Sequence, residues 1–175
     1  DALYFTVGKF SYDAGIMITA SHNPKEYNGF KMCRAEAVPL SGQEGLEQIK
    51  QILLQNRLEP ARQKGKIIAN DILEAYLKHV LSFVDIKKIK PFKIVADAGN
   101  GMAGMLAPKL FKHLPCELIP MFFELDGSFP NHPASPIEPE NMAPLQNRVL
   151  QEKADLGVAF DGDADRMFIV DEKGK

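Results

Sequence analysis

The sequence predicts an α/β protein, and three observations predict it. From Pro91 onward, short β-forming apolar runs alternate with amphipathic helical stretches. Hydrophobic residues make up 45% of the chain and charged residues 25%, which excludes a disordered or fibrous chain. The length, 175 residues, accommodates one large domain or two small ones.

The first elements are strands by composition. Leu3 to Val7 reads as a strand, and Gly15 to Thr19 as a buried strand rich in β-formers. Ala20 to Asn28 is a polar loop with turn signals at Asn23-Pro24 and Asn28-Gly29, and Phe30 to Arg34 resumes a strand. Ser41-Gly42-Gln43-Glu44 fits a capping box, so a helix should start there with Leu46, Ile49 and Leu53 on one face. Arg57 to Lys66, charged and holding Pro60 and Gly65, is the best linker candidate, with a short β segment possible at Lys66 to Ala69. Asn70 or Asp71 can cap a second helix, whose apolar positions run from Ile72 to Val84.

Strand and helix then alternate. Phe92 to Ala96 is a strand and Met102 to Leu114 a helix that tolerates Pro108. Cys116 to Phe123 is a strand interrupted or ended near Pro120. Asp126 to Pro139 is a long proline-rich loop, and Met142 to Lys153 a helix with Asn141 as cap. Asp155 to Phe160 and Met167 to Val170 are strands flanking an acidic loop. Helices between strands imply parallel pairing.

The net charge of −2 gives no basic surplus to attract nucleic acid or anionic lipid. No apolar run approaches the roughly 18 residues of a membrane span. Cys33 and Cys116 are too few for a disulfide scaffold and read as buried free thiols. No targeting segment is evident, so the expectation is cytoplasmic. The chain opens on Asp1 and closes on a turn at Glu172 to Lys175, so a piece of a longer protein is expected.

Three loops could carry chemistry. Thr19-Ala20-Ser21-His22-Asn23-Pro24 follows a strand, where α/β proteins place their sites. Ser21 there is either a nucleophile awaiting activation or a turn-former beside Asn23. Asp161-Gly162-Asp163-Ala164-Asp165-Arg166 sets carboxylates at alternate positions, suited to converge on one hard cation. An EF-hand is excluded, because Arg166 stands where glycine is needed and strands flank the loop. Gly99-Asn100-Gly101-Met102-Ala103-Gly104 matches a dinucleotide fingerprint, but Asp97 would bring negative charge near a pyrophosphate. A tight turn is the simpler reading there.

Thr19 to Pro24 with Tyr27-Asn28-Gly29-Phe30-Lys31 resembles the phosphoserine loop of the α-D-phosphohexomutases, in its phosphomannomutase/phosphoglucomutase form. Asp161 to Arg166 resembles their metal loop. Asp97 to Gly101, Phe129-Pro130-Asn131-His132-Pro133 and Pro139-Glu140-Asn141 resemble second-domain segments, all in the family's order. The resemblance implies two consecutive mixed α/β domains: residues 1–66, the later part of an incomplete first domain with the phosphoserine loop, and residues 67–175, a second domain with the metal loop. It also implies that the third and fourth domains of the parent are missing partners.

By that resemblance, Ser21 is phosphorylated, and one of its oxygens joins Asp161, Asp163 and Asp165 in holding Mg²⁺. Lys31 would bind substrate and act as a general acid or base, with His22 nearby in the same role. Arg166 would bind phosphate oxygens, Asn23 would orient the loop, and Gly99 and Gly101 would shape a structural turn. The implied reaction interconverts hexose 1-phosphate and hexose 6-phosphate through a hexose 1,6-bisphosphate, with no nucleic-acid or membrane partner. The isolated chain is expected to be inactive. The alternatives are a non-catalytic module binding Mg²⁺ or phosphate, and a nucleotide-binding α/β domain.

Overall fold

Helix α1 (Ala2–Phe10) occupies the stretch that composition assigns to a strand. The correction follows from spacing. Leu3 and Val7 lie four residues apart, on one helical face, and both are buried with Cys33. Thr6, a β-favouring residue, is accommodated because its hydroxyl donates to the Ala2 carbonyl one turn back, at 2.6 Å. Ser11 closes the helix in the left-handed conformation. This computed structural model describes residues 1–175, the side chain of Glu44 excepted, so the expected capping box at Glu44 lies outside the described residues.

The chain forms two compact units, Asp1–Met17 with Phe30–Tyr76, and Ile18–Gly29 with Leu77–Lys175. In the first, β1 (Ala14–Ile18) and β2 (Phe30–Arg34) make a two-stranded sheet. Gly15 allows α1 to approach it: a Cβ there would fall 2.6 Å from Leu3 Cδ1. The expectation of a buried β1 is corrected, since Ile16 is 62% exposed. Burial of a strand needs cover on both faces, and β1 gains its close packing only at Gly15. A π-helical turn (Gly42–Leu46) leads into α2 (Glu47–Leu54), and residues 57–72 form no strand or helix, so no β segment exists at Lys66 to Ala69. Helix α3 (Leu73–Leu81) is capped by Asp71, whose Oδ1 accepts the Leu73 N–H at 2.9 Å. It is shorter than its apolar pattern suggests, and Phe83 and Val84 are exposed beyond its end.

The second unit holds a four-stranded sheet of order β4-β3-β5-β6, made of β3 (Lys93–Asp97), β4 (Glu117–Met121), β5 (Leu156–Phe160) and β6 (Met167–Asp171). Crossovers through α4 (Ala103–Phe111) and α5 (Pro139–Glu152) make β3 parallel to both β4 and β5. The short acidic loop makes β6 antiparallel to β5. Strand β4 runs through Pro120, paired with Ala96, instead of breaking there. It tolerates proline because β4 is an edge strand with one neighbour. Helix α5 starts at Pro139, three residues before the expected start, because proline suits the first helical position. Asn141 is therefore inside the helix, donating its side-chain N–H to the Ser135 carbonyl at 2.8 Å.

The core of this unit is Val95, Met142, Leu145, Val149, Ala154, Ala159 and Val170, with Ile119 and Met121 packed against it. Gly157 lets α5 sit close to β5, where a Cβ would meet Val149 Cγ2 at 2.6 Å. Cys33 is buried as expected, but Cys116, at the rim before β4, is half-exposed, and both are free thiols. Leu145 is fully buried, so Leu145→Ala should cost about 2–5 kcal/mol. A lowered urea midpoint with an unchanged slope would show this.

Candidate active site

Strands β3 and β5 are adjacent and parallel, so Asp97 and Asp161 emerge at the same sheet end. The acidic loop between β5 and β6 is folded around Asp161. This carboxylate is wholly buried, and its Oδ1 accepts the backbone N–H groups of Asp165 and Arg166 at 3.1 Å each. Its Oδ2 receives the Arg166 guanidinium, Nε at 2.9 Å and Nη2 at 2.7 Å. A buried carboxylate is tolerable only when so compensated. Ala164, in the left-handed conformation, completes the turn that brings the three side chains together. Asp161, Asp163 and Asp165 each offer an oxygen within 4.8 Å of the others.

The Ser21 loop belongs to the same compact unit. Ser21 Oγ lies 3.1 Å from Asp161 Oδ2 and 3.3 Å from Asp163 Oδ1. Arg166 Nη2 donates to the same Oγ at 2.9 Å and also contacts His22 Nδ1, which accepts. His22 Nδ1 is 3.4 Å from Ser21 Oγ. Ser21 itself sits at φ 55°, a left-handed conformation uncommon outside glycine. Asn23 holds this kink by donating backbone and side-chain N–H to the Ala20 carbonyl, both at 3.0 Å. A hydroxyl, three carboxylates and a guanidinium thus converge from loops 140 residues apart. Lys31 stands half-buried on β2, in the other compact unit.

The donor set fits a hard divalent cation. All candidate ligand atoms are oxygens, three of them anionic, as Mg²⁺ prefers.

Sequence reasoning missed several supporting residues. Thr19 Oγ1 donates to Asp163 Oδ2 at 2.8 Å and accepts the Ser21 N–H at 2.8 Å, so one hydroxyl links both loops. Its place two residues before Ser21 was the available signal. Asp97 is 1% exposed, with Oδ1 accepting the Gly99 N–H at 2.8 Å and Oδ2 facing His132 Nε2 at 3.0 Å. Gly99 takes φ 50°, and a Cβ on Gly101 would fall 2.6 Å from the Gly162 carbonyl oxygen. The turn is thus committed to internal contacts, with Gly104 pressed against the Phe123 backbone. That leaves its glycines facing protein where a dinucleotide fingerprint would face a pyrophosphate.

Two family descriptions match this chain: "Phosphoglucomutase/phosphomannomutase, alpha/beta/alpha domain II" over residues 74–174, and "alpha/beta/alpha domain I" of the same group over residues 1–59. The chain belongs to the phosphoglucomutase/phosphomannomutase family. It is 40% identical to a phosphomannomutase of Vibrio cholerae, covering 99% of this chain and 39% of that protein. It is 42% identical to a phosphomannomutase/phosphoglucomutase of Pseudomonas putida, covering 99% of this chain and 36% of that one. Among solved structures, a phosphoglucomutase/phosphomannomutase family protein from Burkholderia thailandensis superposes with a TM-score of 0.80 at 37% identity, over 93% of this chain and 34% of its own. The chain thus spans about two-fifths of the length of these curated relatives. No described helix is long and apolar enough to cross a membrane.

His132 is held above its ordinary range, chiefly by the hydrogen bond to Asp97, with burial opposing. Both ring nitrogens face acceptors, since Nδ1 lies 2.8 Å from the Pro133 carbonyl, so the doubly protonated ring satisfies both. A raised folded-state pKa stabilises fully below the unfolded value near 6.5 and is lost as pH rises through the folded value. Urea midpoints should therefore fall as pH rises above about 6.5, and His132→Gln should flatten that slope. A wild-type slope retained in His132→Gln would assign the titration elsewhere.

Proposed function

We propose that this chain supplies the phosphoryl-carrying serine and the Mg²⁺ site of a phosphohexomutase that interconverts hexose 1-phosphates and hexose 6-phosphates. The observation that carries the reading is Ser21 Oγ, 3.1 Å from the buried Asp161 carboxylate and 2.9 Å from the Arg166 guanidinium. Relatives named phosphomannomutase and phosphomannomutase/phosphoglucomutase, about 40% identical across nearly the whole chain, support it. Domain boundaries at 1–66 and 67–175 are part of the proposal, beside the family matches to residues 1–59 and 74–174.

In this reading Asp161, Asp163, Asp165 and Ser21 hold the cation, which when bound neutralises charge on the transferring phosphoryl group. Each half-reaction is a displacement at phosphorus. A sugar hydroxyl oxygen bonds to the phosphorus carried by Ser21 as the Oγ–P bond breaks; the sugar proton passes to a base, and the departing Oγ takes up a proton to leave the serine hydroxyl. The hexose 1,6-bisphosphate then presents its other phosphate, and the return transfer restores phosphoserine. Arg166 orients phosphate oxygens through its planar fork. His22 accepts at Nδ1 and is placed to relay a proton at Oγ. Lys31 is assigned to substrate binding and proton transfer. The cation, the bisphosphate intermediate and a cytoplasmic setting belong to the same proposal. So does the chain's inactivity without the remainder of the enzyme.

The test is phosphoryl capture. Incubated with glucose 1,6-bisphosphate and Mg²⁺, the enzyme containing this chain should gain one phosphoryl group at Ser21, read by mass spectrometry. Ser21→Ala should lose both the label and at least about 10³-fold of the turnover in a coupled glucose 1-phosphate assay. Asp163→Asn should raise the Mg²⁺ concentration needed for half-maximal turnover. Full turnover in Ser21→Ala would contradict the nucleophile assignment, and an unchanged Mg²⁺ titration in Asp163→Asn would remove the acidic loop from the site.

A further inference from the structure

The acidic loop is held from behind at Gly162, the residue between Asp161 and Asp163. Its N–H donates to the Ala134 carbonyl at 3.2 Å, and its carbonyl accepts the Met102 N–H at 2.9 Å. Those two partners lie on different loops, one following β3 and the other preceding α5. The loops are joined beneath Gly162 by Asp97 and His132, 3.0 Å apart, with side chains 1% and 13% exposed. Asp97 also fixes the first loop through the Gly99 N–H, and His132 fixes the second through the Pro133 carbonyl. Phe122 closes one side, its ring edge-on to His132 at 5.4 Å between centroids. The shape leaves little slack. A Cβ on Gly99 would meet Ala134 Cα and His132 Cε1, each at 3.4 Å, and Gly101 abuts the Gly162 backbone.

The geometry points to Asp97 and His132 as a positioning pair that locks both backbone groups of Gly162 and so sets the spacing of the Asp161 and Asp163 carboxylates. Asp97 and His132 bond to each other and to Gly99 and Pro133, on the two loops that flank Gly162. The pair acts through the two loops that it ties together. Groups that bond metal ligands directly tune affinity without ligating, and here the same ordering would reach the carboxylates one step further out, through the Gly162 backbone. The inference rests on the metal reading above, but its first readout is independent of that reading.

That readout is amide exchange. Its test uses the 175-residue chain in three forms: wild type, His132→Leu, and His132→Gln. Glutamine keeps an N–H donor toward Asp97 and guards against a leucine variant that fails to fold. The Gly162 amide should exchange faster in His132→Leu, relative to amides of β3, with His132→Gln in between. Mn²⁺ affinity, read by electron paramagnetic resonance, should fall by up to about 10-fold in His132→Leu, the low end for supporting groups, and be partly rescued in His132→Gln. Equal acceleration of Gly162 and β3 amides would mean general destabilisation and overturn the inference. So would folded variants with unchanged Gly162 exchange and unchanged Mn²⁺ affinity. A wild-type chain that binds no Mn²⁺ would overturn the metal reading alone, and Gly162 exchange would still decide the clamp.

Discussion

The buried Asp161 carboxylate is the constraint on which the rest of the site depends. A carboxylate removed from water must be compensated, and each of its oxygens is. One oxygen takes two backbone N–H groups and thereby dictates the turn of its own loop. The other takes the Arg166 guanidinium and faces the Ser21 hydroxyl. The turn of the loop and the contacts to Arg166 and Ser21 are thus served by the two oxygens of a single side chain. Moving it would remove the anchor of its own loop and separate the three carboxylates that converge there.

The parallel pair β3 and β5 explains why this works. Asp97 pairs with Ala159, so Asp161, two residues further on, leaves the sheet at the same end as Asp97. The hydrophobic core of Val95, Leu145, Val149 and Ala159 lies under both strands and fixes their register. Glycine at 101 and 162 then lets two loops approach at backbone distance. The Ser21 loop meets this assembly at Gly162, where a side chain would collide with the Ser21 carbonyl. Small residues here are what bring a hydroxyl within hydrogen-bond reach of carboxylates far away in sequence.

Much of this could be read from residues in order. The alternate aspartates converge as their spacing suggests, and the Ser21 loop follows β1 as its turn signals suggest. The strands β2, β3, β5 and β6 follow from their apolar runs. Other features were hidden for definite reasons. Helix α1 contains Tyr4, Phe5, Thr6 and Val7, whose β preferences mask the four-residue spacing of Leu3 and Val7. Exposure of Ile16 depends on what covers β1, which composition does not reveal. Thr19, Asp97 and His132 matter through partners 144, 35 and 35 positions away, respectively. No local pattern encodes such pairs, and only the folded backbone brings them together.

The most direct test of the account is crystallographic: anomalous diffraction from this chain soaked in Mn²⁺. One peak is expected among Asp161, Asp163 and Asp165, about 2.0–2.3 Å from an oxygen of each and within the same reach of Ser21 Oγ. A peak held elsewhere, or a well-ordered acidic loop at saturating Mn²⁺ with Ser21 turned out of ligand distance, would contradict it.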